Sequence, residues 1–497
     1  MSRWDRGVGL AVGNRRHVAD FCWFFGGGGE RLGVMVSGSK SMPKVPFFYR
    51  ILHRSYGRGT RMSYFVSSRV NPAGWVLIAV VLLGIVLGMD IEKSTLYQIV
   101  VFGGALLGVG FVGAWFRRAK LKATRALPSY ATAGEECRYA VEVENAGGGA
   151  VRGFWLWERQ TDPRPDLETF AFTKEPGEEK RNFFDRCFVY YRWSWLMERR
   201  ILFRGGRSGG PMEVEWEGRA HATVSFVPRR RGVIRMADLR VVLPDPFGLF
   251  QRCRKVATHG DQIVVLPRRY RLPPLELPGE SSLQMGGEAV SSSVGHSGEI
   301  LGLRDYRSGD ALRHIHWKGW AKAGKPIVKE FEDSYYPRYG LVLDNCVRGG
   351  DEEAFEEAVS VAASFASAID TKRSLLDLMF VNEEAIVMTA GQGIAKPEKM
   401  LEVLAAVEPD RVLHFEELRR LVYGYRDDFS ACICVFPAWS RERAAFLRDL
   451  SRGGLEVLGL VLCRDAEEVR RQLREEPVPC RCVLLELGKV QEGLMKV

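Results

Sequence analysis

Two stretches of this 497-residue chain lack charge altogether, and a third lacks acid. Pro72–Met89 and Leu96–Phe116 contain no Asp, Glu, Lys or Arg. At about 1.5 Å per residue, each is long enough as a helix to cross a hydrocarbon core of roughly 30 Å. The six residues between them, Asp90–Thr95, allow only a tight reversal, so the pattern predicts a transmembrane hairpin. From Arg31 to Met89 there is no acidic residue, while Lys40, Lys44, Arg50, Arg54, Arg58, Arg61 and Arg69 precede the first run. Arg117, Arg118, Lys120, Lys122 and Arg125 follow the second. Basic flanks on both sides predict a multi-pass protein of the cytoplasmic membrane with both termini cytoplasmic. Trp75, Tyr97 and Trp115 suit the interfacial belts, and Gly103, Gly104, Gly108 and Gly110 allow close helix approach.

The ten cysteines include no C-x-x-C pair, which removes the usual zinc-knuckle and thioredoxin-type spacings. The closest spacings are Cys432–Cys434 and Cys480–Cys482, each in apolar, strand-like surroundings, and they read as buried reduced thiols of a reducing compartment. The net charge of +10 is moderate for this length, so its placement matters more than its size.

What is present divides into five regions. Residues 1–70 read as a basic, disordered tail, followed by the hairpin at 71–118. Residues 126–266 alternate with period two. In "ECRYAVEVENAG", Cys137, Tyr139, Val141 and Val143 alternate with Glu136, Arg138, Glu142 and Glu144 before a turn at Asn145–Gly149. With further strand pieces broken at Arg231–Gly232 and Asp245–Gly248, this predicts an immunoglobulin-like β-sandwich. The aromatic- and arginine-rich "RNFFDRCFVYYRWSWLMERRILFRGG" within it reads as a packed or amphipathic surface strand rather than a base-stacking platform. Residues 267–338 form a junction. Residues 339–497 alternate strand and helix, which predicts a mainly parallel α/β sheet covered on both faces. In "DEEAFEEAVSVAASFASAID", Phe355, Val359, Ala362, Phe365, Ala366 and Ile369 share a helical face.

Two long motifs resemble the domain of unknown function 58 family. One is "RRRGVIRMADLRVVLPDPFGLF". The other carries Tyr306, Gly309, Asp310, Arg313, Ile315, Trp317, Lys318 and Ala321, with Ser308, Ala311 and Lys322 departing mildly from the family pattern. The resemblance runs from about Arg69 to the C-terminus. It implies a membrane-anchored multi-domain α+β protein with a β-sandwich and a C-terminal von Willebrand factor A-like, Rossmann-like domain. It implies association with MoxR-type AAA+ ATPases and no established enzymatic activity.

Domains of the von Willebrand A type often hold Mg²⁺ through D-x-S-x-S after the first strand, because hard cations take carboxylate and hydroxyl oxygens. In that frame this chain has Asp344, Cys346 and Arg348. A thiol is a poor Mg²⁺ ligand and a guanidinium repels the ion, so the site reads as degenerate, with Asp344 a relic or a surface contact. No metal or cofactor is expected.

In the second motif, His314 and His316 have zinc-like spacing but no specified third ligand, and "SSSVGHSGE" near His296 has no nucleophile-elbow context. Gly391–Gly393 is a lone G-x-G, more simply a loop. Arg304, Arg307, Lys318 and Lys322 suggest nucleic acid, but Asp305, Asp310, Glu330 and Glu332 dilute the field. Expected instead is a structural junction. "YRSGD" reads as a turn with Asp310 capping the segment that follows, Ile315 and Trp317 bury against the sheet, and arginine–carboxylate pairs lock the sandwich to the α/β domain or present a face to a partner. The function expected is a non-enzymatic membrane scaffold that docks a protein partner, with no nucleic acid and no small-molecule substrate. The rivals are a metal-dependent adhesion or hydrolytic module and nucleic-acid association through the basic tail.

Overall fold

The computed structural model describes residues 45–87, 94–258, 260–275, 294–307, 310, 312–335, 337–347, 351–372, 374–382, 384–391, 394–410 and 414–497. Of the basic tail, residues 1–44 lie outside this set, as do Met89, the turn residues 90–93, and Ser308, Gly309, Ala311 and Arg348.

The chain enters through helix α1 (Phe47–Ser67). This departs from the expected tail. Leu52 of α1 packs into a small core with Phe170, Val189, Trp193 and Leu196. Thr60 Oγ1 accepts a hydrogen bond from the Trp193 indole at 3.2 Å. Two apolar helices follow, α2 (Pro72–Leu87) and α3 (Ser94–Phe116), and they lie against each other where glycine leaves room. A Cβ at Gly84 would stand 2.5 Å from Cγ2 of Val100, and one at Gly103 would stand 2.7 Å from Cγ2 of Val81. Helix α3 is long and apolar enough over Leu96–Phe116 to cross a membrane, about 32 Å at the usual rise. The described part of α2 is shorter, 16 residues.

The sandwich begins with β1 (Leu121–Ala126), β2 (Tyr130–Thr132), β3 (Cys137–Asn145) and β4 (Val151–Glu158). An insertion of three helices follows: α4 (Leu167–Phe172), α5 (Phe183–Phe188) and α6 (Tyr190–Arg199). Then come β5 (Phe203–Ser208), β6 (Met212–Val214), β7 (Arg219–Pro228), β8 (Gly232–Met236), β9 (Leu239–Pro244), β10 (Gln251–Lys255) and β11 (Asp261–Leu266). One sheet runs β1-β3-β7-β5-β4-β9-β10 with β6 on β4, and a second runs β2-β11-β8. Val141, Phe154, Ile234 and Ile263, drawn from both sheets, share one core. The aromatic segment expected as a strand is helical in α6. Val189, Trp193 and Leu196 are buried at the three-and-four spacing of a helix, and Arg192 lies on the same face and pairs with Glu178.

The turn between β9 and β10 seats the sandwich on the apolar helices. Asn71, just ahead of α2, donates its backbone N–H to Leu249 O at 2.9 Å and its side-chain amide to Gly248 O at 2.9 Å. Arg117, just beyond α3, donates to Pro244 O at 2.8 Å. Glycines at both helix ends make room: a Cβ at Gly74 would be 2.4 Å from Leu249 O, and one at Gly110 would be 2.8 Å from Oδ2 of Asp245. The "DPFGLF" motif is therefore a wedge between two helix ends.

A two-stranded ribbon, β12 (Val294–Asp305) with β13 (Ile327–Tyr335), carries the short helix α7 (Trp317–Ala323) between its strands. The last unit comprises β14 (Arg338–Leu343), α8 (Glu352–Ala368), β15 (Leu375–Asn382), β16 (Glu384–Ala390), α9 (Pro397–Ala406), α10 (Phe415–Tyr425), β17 (Ala431–Phe436), α11 (Arg441–Arg452), β18 (Glu456–Cys463), α12 (Ala466–Glu475), β19 (Arg481–Glu486) and α13 (Val490–Leu494). Its sheet runs β16-β15-β14-β17-β18-β19, all parallel except the edge strand β16. Counted within the unit this is the doubly wound order, which reverses direction between β14 and β17. Leu341 and Leu343 face the core that holds α8 and α9, and Val342 faces the core that holds α10 and α11. Both faces are thus covered, as the near-continuous apolar strands require. Cys432 and Cys434 are fully buried free thiols.

The contact between sandwich and α/β unit is made elsewhere than expected. Arg231, in the turn ahead of β8, inserts between α8 and α9. It donates to Val407 O at 2.6 Å, pairs with Glu356, and lies 5.0 Å over the Phe355 ring. Tyr130 of β2 reaches Glu402 of α9, and Tyr270 N donates to Ser364 Oγ of α8 at 2.8 Å. The Arg304–Asp310 pair of the second motif lies inside the ribbon.

Candidate functional site

Two places concentrate chemistry: the tip of the ribbon and the carboxyl end of β14. At the tip, Arg304 grips Asp310 with both guanidinium ends at 2.8 Å, and the backbone N–H of Arg307 donates to the same carboxylate at 2.8 Å. The guanidinium beside it holds the Asp310 carboxyl well below the usual range, at about 2. Asp310 thus closes the turn behind it, rather than capping the segment ahead. His316 does the capping: its Nδ1 accepts the Gly319 N–H at 2.9 Å and starts α7. Gly324, at φ 68°, ends α7 in the left-handed conformation that suits glycine. The segment returns to the ribbon through His316 N to Ile327 O at 2.8 Å.

Ile315 is buried there, 4% exposed, alongside Val328, as expected. Trp317 is not. It is 65% exposed and stacks on Trp320, with ring centroids 5.4 Å apart. The reason is helical geometry: residues three apart share a face, so Trp317 and Trp320 point the same way, and that way is outward. Leu312 is 68% exposed, and Arg313, Lys318, Ala321 and Lys322 are exposed as well. Tyr306 is half-buried. Arg313 Nε meets His314 Nε2 at 3.1 Å, so the two histidines do not converge: one faces an arginine and the other caps a helix. The tip therefore offers a stacked indole pair with a basic surround, held in place by a bidentate ion pair and two caps.

At the carboxyl end of β14, Asp344 lies at the switch point where doubly wound sheets bind ligands. It is fully buried, not a surface contact. Arg443, in the first turn of α11, donates Nε to Asp344 Oδ2 at 2.6 Å and Nη2 to Cys346 O at 3.0 Å. Ser440 caps α11 by accepting the Arg443 N–H at 3.4 Å, which sets the direction of that turn. Cys346 N donates to the other Asp344 oxygen at 2.9 Å. Burial pushes the Asp344 carboxyl up, and Arg443 opposes it. Burial, with Asp344 and Asp410 nearby, also pushes the Cys346 thiol up and away from a metal-binding thiolate. The Arg443 guanidinium thus spans the Asp344 carboxylate and the Cys346 carbonyl. Asn345 and Asp410 are also engaged: Asn345 Nδ2 donates to Glu408 O at 3.1 Å, and Asp410 Oδ2 accepts the His414 N–H at 2.8 Å. Among the described residues no three His, Cys, Asp or Glu side chains gather as metal ligands would.

Residues 302–420, from the ribbon into α10, match the family model described as "Protein of unknown function DUF58". The chain is 29% identical over 270 residues to the "Uncharacterized protein YeaD" of Bacillus subtilis, an alignment that covers 54% of this chain. It spans 65% of that relative's length. Among solved structures, the CARDB domain of a Pyrococcus furiosus protein aligns at 11% identity over 30% of this chain and 91% of that one, with a TM-score of 0.15. A PapD-like domain of human CEP192 aligns at 13% identity over 30% of this chain and 84% of its own, also with a TM-score of 0.15. Scores that low say nothing of the fold or function of this chain.

Proposed function

We propose that this protein is a non-enzymatic scaffold of the cytoplasmic membrane, anchored by α2 and α3 with both termini cytoplasmic. Its cytoplasmic body docks a protein partner through the ribbon tip. The observation that carries this reading is the stacked, exposed Trp317–Trp320 pair. Large aromatics presented at a surface are what protein interfaces use as anchors. The basic surround favours an acidic rim on the partner.

The α/β unit is read as von Willebrand factor A-like, with its cation position closed by Arg443. The partner that the family resemblance implies is a MoxR-type AAA+ ATPase. A pull-down from native membranes, with and without ATP, tests it. An ATPase recovered by the wild-type chain and lost with W317A/W320A supports the reading, and no ATPase above background removes it. The membrane part stands separately: recovery of the intact chain in the soluble fraction would end it.

A further inference from the structure

A cleft of about 300 Å³ opens between the C-terminal half of α1 and the strands β4, β5, β9 and β10. At roughly 30 Å³ per water it has space for about ten, well beyond a single ion. Five arginines line it, contributed by three separate parts of the chain: Arg61 and Arg69, Arg159 and Arg164, and Arg240. Two of them are already paired, Arg164 with Asp162 and Arg240 with Asp238 at 2.8 Å. Glu158, the other acid in the lining, is turned inward and held by Arg125 at 2.9 Å.

Among the described residues, Arg61, Arg69 and Arg159 have no carboxylate within ion-pair reach. Arg69 lies 3.8 Å over the Phe65 ring and Arg159 lies 5.7 Å from the Tyr64 ring, so aromatic faces hold two of these guanidiniums in the lining. The Cys253 thiol, also in the lining, donates to Ser68 O at 3.1 Å. Like charges gathered over a concave, partly apolar wall repel one another unless an anion lies between them. Guanidinium forks match the oxygens of a phosphoryl group better than those of a spherical ion.

We infer that this cleft binds a phosphate-bearing anion, its oxygens held by Arg61, Arg69 and Arg159. Arg69 is three residues ahead of Pro72, where the uncharged helix begins. A phospholipid headgroup is therefore one source of the phosphate and a soluble phosphate the other. The inference does not rest on the scaffold reading.

The test uses the full chain in neutral detergent, titrated calorimetrically with dihexanoyl phosphatidylglycerol, dihexanoyl phosphatidylcholine and inorganic phosphate. Saturable binding of the glycerol lipid alone assigns a headgroup, and equal binding of inorganic phosphate assigns a soluble ligand. In either case R61Q/R69Q/R159Q weakens binding by about tenfold or more, the cost of losing charge-assisted hydrogen bonds. R118Q/K120Q/K122Q, with the same change in net charge, leaves it intact. If the triple variant does not fold, R69Q alone decides, because its side chain is exposed. Absence of saturable binding, or binding undiminished in the cleft variants, overturns the inference.

Discussion

Arg443 places its Nε 2.6 Å from Oδ2 of Asp344, joining residues 99 positions apart at the switch point of the sheet. Both side chains are largely or wholly buried, 12% and 0% exposed. R443M strands a carboxylate in the core and should cost about 3–5 kcal/mol, whereas D344N/R443M, which removes both charges, should recover much of that loss. Thermal unfolding midpoints of the three chains check this. Adding Mg²⁺ to the wild-type chain should leave its midpoint where it was.

The wedge at the helix ends makes a second prediction. G74A drives a methyl toward the Leu249 carbonyl, where it would stand 2.4 Å away, and backbone cannot yield as a side chain tip does. The expected loss is about 1–3 kcal/mol. G59A meets nothing within 4 Å and, lying inside α1, should be neutral or slightly stabilising. Detergent-solubilised melting curves distinguish them.

The ribbon tip has its own pH signature. Asp310 is held at about 2 by the Arg304 hydrogen bonds, below its unfolded value near 3.9. A depressed carboxylate contributes stability that is fully present above the unfolded value and is lost as pH falls through the folded one. Hydrogen exchange at residues 304–307 should therefore stay slow down to about pH 4 and accelerate toward pH 2, after correction for intrinsic rates. In D310N that step disappears.

Exposure and burial at the tip should separate docking from folding. W317A, at an exposed position, should shift stability by no more than about 0.5 kcal/mol. I315A removes the plug against Val328 and should cost about 2 kcal/mol or more. Circular dichroism melts and partner recovery, measured on both, should diverge: the first variant folds and fails to dock.

What was legible from sequence was periodicity. Period two marked β3, and the apolar strands of the α/β unit announced themselves, because burial is written residue by residue. Alternating aromatics and arginines hid α6, where arginines on every face blur the apolar stripe and Arg192 is itself buried with Glu178. Trp317 departs from expectation for a related reason: indole suggests a core, and the three-residue spacing to Trp320 fixes a shared face without saying which way it points. Arg443 was invisible from the motif itself. Its meeting with Asp344 depends on β14 and β17 being neighbours, which no local pattern reveals. A serine cap followed by a basic first turn, directly after a strand of that sheet, was the one clue. The junction escapes local pattern because Arg231 stands in a turn and its partners come from helices more than a hundred residues away.

The wedge between α2 and α3 also bears on mechanics. Only four residues separate the end of α3 from β1, and the β9–β10 turn grips both helix ends. Such a mount behaves as a lever, not a leash. Turning the sandwich about this mount would turn the paired helices with it, because the Asn71 and Arg117 hydrogen bonds tie the β9–β10 turn to both of them.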